Sequence, residues 1–113
     1  MLRQPYLLFL GAAPAPLAAK VARAAGAETL VIGVANRGGV ISEAWIAVLL
    51  EAIAQGFDLA SGLHNLLRDE PDLVAAAQAA GTQLHDVRVP SVKYPIANGV
   101  KRAGKRCLAI GTD

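Results

Sequence analysis

The sequence predicts an α/β domain of three layers, with a mainly parallel sheet of four to five strands. Three observations predict it. Short uncharged runs, Leu30 to Val34 the clearest, have the pattern of strands buried on both faces. Longer stretches between them carry apolar residues at helical spacing. The two kinds alternate along the chain, the order that gives parallel strands with helices on the faces of the sheet.

Tyr6 to Leu10 is the first strand, and Gly11-Ala12-Ala13-Pro14 turns the chain. Pro16 suits the first turn of a helix, where its missing N–H costs nothing. Leu17, Val21 and Ala24 share one side of that helix, and Gly26 can close it. The strand Leu30 to Val34 ends at Ala35-Asn36-Arg37-Gly38-Gly39. Ser42 is placed to cap the next helix, which runs to Gln55, and Glu43 sits in its first turn, where the dipole favours an anion. Trp45, Ile46, Leu49, Leu50 and Ile53 form its apolar stripe, and Gly56 ends it. Phe57 to Ala60 is the next strand, and Ser61 to Leu67 turns into one helical turn. Asp69 and Pro71 open a further helix with Leu73, Val74, Ala77 and Ala80 as its packing face, stopped by Gly81. Gln83 to Val87 alternates as a strand. Pro90 to Gly104 holds prolines and glycines with no period and reads as a loop. Arg106 to Ile110 is the last strand, followed by Gly111-Thr112-Asp113.

A chain of 113 residues, 54% hydrophobic, can bury a modest core in one domain and is not disordered. The single Cys107 excludes an internal disulfide and a zinc cluster, and its apolar setting reads as a buried, inert thiol. The net charge of +2 is unevenly spread. Residues 1–92 carry six basic and eight acidic groups, whereas Lys93, Lys101, Arg102, Lys105 and Arg106 face only Asp113 beyond them. A basic tail can meet phosphates, but a solvated lead-in to the last strand explains it better, and nucleic acid is disfavoured as a partner. The apolar run near the N-terminus is shorter than a signal-peptide core, about 7–15 residues. Pro14 and Pro16 interrupt the only long uncharged run, so no bilayer span is expected, and the expected compartment is the cytoplasm.

Ligands of parallel α/β sheets bind outside the carboxyl ends of the strands. Asn36, Gly38 and Gly39 lie between a strand and a helix N-terminus, where backbone amides can receive an anion; a tight turn needing glycine is the competing reading. G-x-G-x-x-G spacing is absent, so a dinucleotide fingerprint is not supported. His64 follows a strand end beside Ser61 and Asn65 and could bind an anion or move a proton, against the commoner role of a packing or capping histidine. His85, inside a strand, is a weaker candidate. Asp86 and Arg88 share a face and suit a structural ion pair, with each other or with a neighbouring loop. Helix capping explains Ser42 fully, and no residues form a metal-ligand set. Gly111-Thr112-Asp113 begins a phosphate loop but stops before its lysine.

Gly33-Val34-Ala35-Asn36-Arg37-Gly38-Gly39, Ala60-Ser61-Gly62-Leu63-His64, Asp86-Val87-Arg88 and Gly104-Lys105-Arg106 through Gly111-Thr112-Asp113 occur in that order. Taken together they resemble the N-terminal Rossmann-like domain of a bacterial family of unknown function, whose members are similar to D-glutamate (D-amino acid) N-acetyltransferases. The resemblance covers nearly the whole chain and implies a Rossmann-like domain over residues 1–110, with 111–113 as the truncated start of a P-loop domain. Asn36, Gly38, Gly39, Ser61, His64 and Arg88 all follow strands whose carboxyl ends should point the same way, and they are the expected ligand-binding residues; with the resemblance, the domain is expected to supply part of the pocket for a small-molecule substrate or a subunit interface, in a homo-oligomer. The C-terminal P-loop half is the implied partner, in cis or in trans. Acetyl-CoA or a nucleotide is implied for the full-length family and no cofactor for this chain alone. The family has a longer segment, with another strand, where Lys20 here runs almost directly into Ala24. Two other functions compete: an independent small-molecule or nucleotide binding module built on the Asn36–Gly39 loop, and a structural dimerisation domain.

Overall fold

The computed structural model describes residues 5–11, 16–93, 99–101 and 103–105. Four short strands alternate with three helices: β1 Tyr6–Phe9, α1 Pro16–Ala24, β2 Thr29–Ile32, α2 Glu43–Ala54, β3 Asp58–Ser61, α3 Pro71–Ala80 and β4 Leu84–Asp86. Two 3-10 turns, Arg37–Gly39 and Leu67–Asp69, follow β2 and β3. The expected strand Arg106–Ile110, Cys107, Arg102 and Gly111, Thr112 and Asp113 lie outside the described residues, as do Ala12, Ala13 and Pro14 of the first turn. The described parts of the stretch from Pro90 to Gly104 contain no helix or strand. Among the described residues no helix is long and apolar enough to cross a membrane.

All three strand pairings are parallel, in the spatial order β1-β2-β3-β4. Leu7, Leu30, Leu59 and Leu84 form one row across the sheet, and Leu8, Val31, Ala60 and His85 form the next. Neighbouring rows point to opposite faces. The Leu7 side is the core. Phe9, Leu30, Ile32 and Leu59 pack there with Ala19 of α1, Leu49, Ala52 and Ile53 of α2, and Leu73 and Ala77 of α3. Each connection steps from one strand to its next neighbour in the same direction. Right-handed crossovers that all step one way place their helices on one face, and that is where the three helices lie. The arrangement is consistent with a three-layer α/β fold, of which the described elements supply the sheet and one helical layer.

This one-sidedness corrects the expectation that Leu30 to Val34 is buried on both faces. Leu30 and Ile32 are buried, Val31 is half-buried and Gly33 is exposed. It also re-aims α1. Val21 is 59% exposed and Ala24 is exposed, whereas Ala19 is buried and Ala22 packs against the core. Alanine on that side lets the short helix sit close to the sheet; the side chain of Leu17 lies outside the described residues. In α3, Leu73 and Ala77 are buried and Val74 half-buried, but Ala80, in the last turn, is exposed. The helix α2 follows its expected stripe, with Leu49 and Ile53 buried and Trp45, Ile46 and Leu50 at the edge of the core. Ser42 caps it, its Oγ accepting from Trp45 N at 3.4 Å, and Gly81 N donates to Ala77 O at the end of α3.

Candidate functional site at the carboxyl ends of the strands

The chain leaves β2 through Gly33-Val34-Ala35-Asn36 and enters the 3-10 turn Arg37–Gly39. Asn36 holds this turn: its Nδ2 donates to Val40 O at 2.7 Å, and Gly39 N donates to Asn36 O at 3.0 Å. The other end of that amide, Oδ1, is buried without a hydrogen-bond partner. Gly38 and Gly39 both have positive φ, 82° and 60°, a region that penalises a Cβ. Gly39 is held for a second reason. A Cβ there would meet His64 Cδ2 at 2.6 Å and His64 N at 3.0 Å.

The loop after β3 meets that turn. Ser61 is buried, and its Oγ accepts from Leu63 N at 3.1 Å, closing a turn within its own loop. Asn65 N donates to Gly39 O at 3.2 Å, which ties the two loops together. Val87 N donates to Ser61 O at 3.0 Å, so Arg88, exposed, starts its turn next to the same loop. Asn36, Gly38, Gly39, Ser61 and His64 therefore share one edge of the sheet, with Arg88 at the neighbouring strand end. Asn36 and Ser61 hold the loop shape through the groups just described; His64 is exposed at the rim.

Between the ends of β2 and β3 lies a cavity of about 240 Å³, lined by Ile32, Gly33, Val34, Ala35, Gly62 and Leu63. No charged side chain lines it. Its walls are small residues and backbone, on a scale below that of typical small-molecule sites, about 300–1,000 Å³. Gly33, which sequence reasoning left out of the site, is central to it. A glycine inside a β-branched run is a signal of close approach, and a Cβ at Gly33 would collide with the side chain of Leu8.

Asp86 is structural. Its carboxylate accepts from Leu67 N at 2.7 Å, from Arg68 N at 3.3 Å and from Arg68 Nε at 3.0 Å. It binds the neighbouring loop, the second of the two options left by the sequence, and fixes the turn Leu67–Asp69. His85 Nε2 lies 3.8 Å from Asp58 Oδ2, away from the strand ends. Gly11 ends β1 beside Trp45, whose ring meets Phe9 edge-on at 5.2 Å. Among the described residues no three His, Cys, Asp or Glu side chains converge as a metal site.

Residues 7–90 match the model of the DUF1611_N family, described as a Rossmann-like domain of unknown function. The chain belongs to this family. Over its full length it is also similar to a protein of Tritonibacter scottomollicae named D-glutamate N-acetyltransferase, at 58% identity across 147 aligned residues. A protein of the same name from a Pseudoalteromonas species is 44% identical over 88 residues, or 78% of this chain. The chain spans 44% of the length of the first and the match covers 26% of the second. The 147 residues of the first alignment exceed the 113 of this chain, so that relative carries residues with no counterpart here.

Proposed function

We propose that this chain is the N-terminal domain of a D-glutamate N-acetyltransferase-like protein, supplying part of the substrate pocket or of a subunit interface and inactive alone. One observation carries the reading: identity of 58% over the whole chain to a protein of that name, of which the chain spans less than half. The chemistry of the strand-end site agrees. Acyl transfer needs a bound donor, a group to take the amine proton and donors facing the developing oxyanion. The cavity offers backbone and small apolar side chains, and is too small to enclose substrate and donor together. His64, in the loop after β3, is the candidate base in a complete protein, and Arg88 the candidate partner for a substrate carboxylate. Acetyl-CoA, or a nucleotide, belongs in this reading to a P-loop half supplied in cis or in trans. The whole would work in the cytoplasm as an oligomer.

The test is acetyl transfer from acetyl-CoA to D-glutamate. The purified chain should release no more CoA than buffer does, and fusion to the remaining part of the Tritonibacter relative should restore turnover. Turnover by the isolated chain, or an inactive fusion that is folded, overturns the division of labour. The binding-module reading has the cavity in its favour, and it predicts that D-glutamate alone raises the melting temperature of the isolated chain.

A further inference from the structure

The three ladders of the sheet do not end together. β1 and β2 pair as far as Phe9 and Ile32, and β3 and β4 as far as Ser61 and Asp86. Each of these outer ladders is closed by a donor just past a strand, Gly33 N–H to Phe9 O at 3.0 Å and Val87 N–H to Ser61 O at 3.0 Å. The central ladder, between β2 and β3, stops sooner, at Val31 and Ala60. Its next two rungs would run from Gly62 N–H to Ile32 O and from Val34 N–H to Gly62 O. Neither bond is made among the described residues. The Ser61 turn gives the reason. Ser61 Oγ accepts from Leu63 N at 3.1 Å, which bends the chain at Gly62, and Leu63 is buried. Ile32, Val34 and Gly62 all line the cavity of about 240 Å³. The cavity is thus a split in the sheet, edged by two backbone donors and two backbone acceptors.

Backbone groups in such a split need water or a ligand as partner. The balance of donors and acceptors selects the ligand. A bare carboxylate only accepts, and would leave the carbonyl oxygens facing an anion. An amine cation only donates. No charged side chain lines the split to favour either one. The main-chain end of an α-amino acid does both: its carboxylate accepts, its ammonium donates, and the two charges cancel. We infer that the split between β2 and β3 holds the main-chain end of a free α-amino acid, with the carboxylate on the N–H groups of Val34 and Gly62 and the ammonium on the carbonyls of Ile32 and Gly62; the choice of ligand rests on the function proposed above and deepens it. The place agrees, since the split opens at the carboxyl ends of parallel strands. The amino acid's own side chain is then the part left outside. Arg88, exposed and next after Val87 at the neighbouring strand end, is the cation placed for a side-chain carboxylate.

The test is amide NMR of the isotope-labelled chain, titrated with D-glutamate, glycine and glutarate. Glycine is the main-chain end alone, whereas glutarate keeps two carboxylates and lacks the ammonium. D-glutamate and glycine should both give saturable shifts at the amides of Val34 and Gly62. Glutarate should bind at least about tenfold more weakly, the scale of one hydrogen bond to a charged group. Gly62→Pro removes one of the donors at a position without positive φ, and should weaken glycine binding by a similar factor. If that variant does not fold, the comparison of glycine with glutarate on the parent chain decides. Absence of saturable shifts at Val34 and Gly62 overturns the inference, and so does glutarate binding as tightly as D-glutamate. The readout is independent of turnover. Acetyl transfer by the fusion without these shifts in the chain removes the subsite and keeps the proposed function; these shifts beside a folded, inactive fusion keep the subsite and remove that function.

Discussion

Gly39 carries two constraints at once. Its φ is positive and its missing Cβ leaves room for His64, so each loop of the site holds the other in place. Gly39→Ala should cost about 1–3 kcal/mol, read by urea denaturation, because the backbone strain and the contact with His64 add. Gly38→Ala has the same sign of φ but only Val40 within reach, at 3.5 Å, and should cost less. Equal losses would mean that His64 moves aside freely and that the two loops are not locked. Asp86 shows the same economy in an acceptor. It serves two backbone N–H groups and one guanidinium, with its own side chain 2% exposed. Asp86→Ala should cost about 1–3 kcal/mol, since it strands the partly buried Leu67 N–H. Arg68→Ala should cost less than about 1 kcal/mol, because Arg68 is 54% exposed and water replaces its share of the pair. The reverse ranking, in the same denaturation series, would put the weight on the ion pair and not on the turn.

At the scale of elements, α2 could be read from the sequence almost to the residue and α1 could not. The stripe Trp45, Ile46, Leu49, Leu50 and Ile53 is made of large side chains, and only one orientation buries them. Its cap Ser42 and the stop near Gly56 are local chemistry. In α1 periodicity favours the side of Leu17, Val21 and Ala24, yet among the residues whose side chains are described it is Ala19 and Ala22 that meet the core, while Val21 and Ala24 are exposed. The sheet chose the side of Ala19 because close approach there buries Phe9 and Leu30 more completely than a valine would allow. Ala19→Leu should therefore overpack the α1–sheet contact and cost about 1–3 kcal/mol. Val21→Ala, on the open side, should stay within about 0.5 kcal/mol of the parent. A thermal melt of the two variants separates the orientations, and a larger loss at Val21 would reverse the assignment of the faces. The site followed the same logic. Asn36, Gly38, Gly39, Ser61 and His64 could be placed together because parallel strands share their carboxyl ends. The partners of Asp86 and the collision of Leu8 with Gly33 could not, since both depend on which loop crosses which strand.

For the whole molecule, strand order sets a gradient of protection. The alternation of strands and helices gave the parallel sheet; the order β1-β2-β3-β4, and with it the placing of every helix on one face, depends on long-range pairing that no local pattern encodes. In that order β2 and β3 are hydrogen-bonded to strands on both sides, while β1 and β4 have one paired edge each among the described strands. Leu30 and Leu59, fully buried at the centres of β2 and β3, lie in the register row that α2 and α3 cover. Opening either strand breaks two ladders and uncovers the core, which amounts to global unfolding. Releasing β4 breaks one ladder and the Asp86 contacts with the turn Leu67–Asp69, and leaves the core row of Leu30 in place. Native-state amide exchange should therefore be slowest at Leu30, at a rate that tracks the global stability as urea is added. Amides whose bonds cross from β3 to the β4 side, Leu59 N–H to Gln83 O and Val87 N–H to Ser61 O, should exchange faster and with a weaker dependence on urea, the mark of a local opening. If the amides of β2, β3 and β4 instead exchange at one rate with one urea dependence, the sheet opens as a single unit, and the edge position of β4 confers no independent mobility on the Arg88 side of the site.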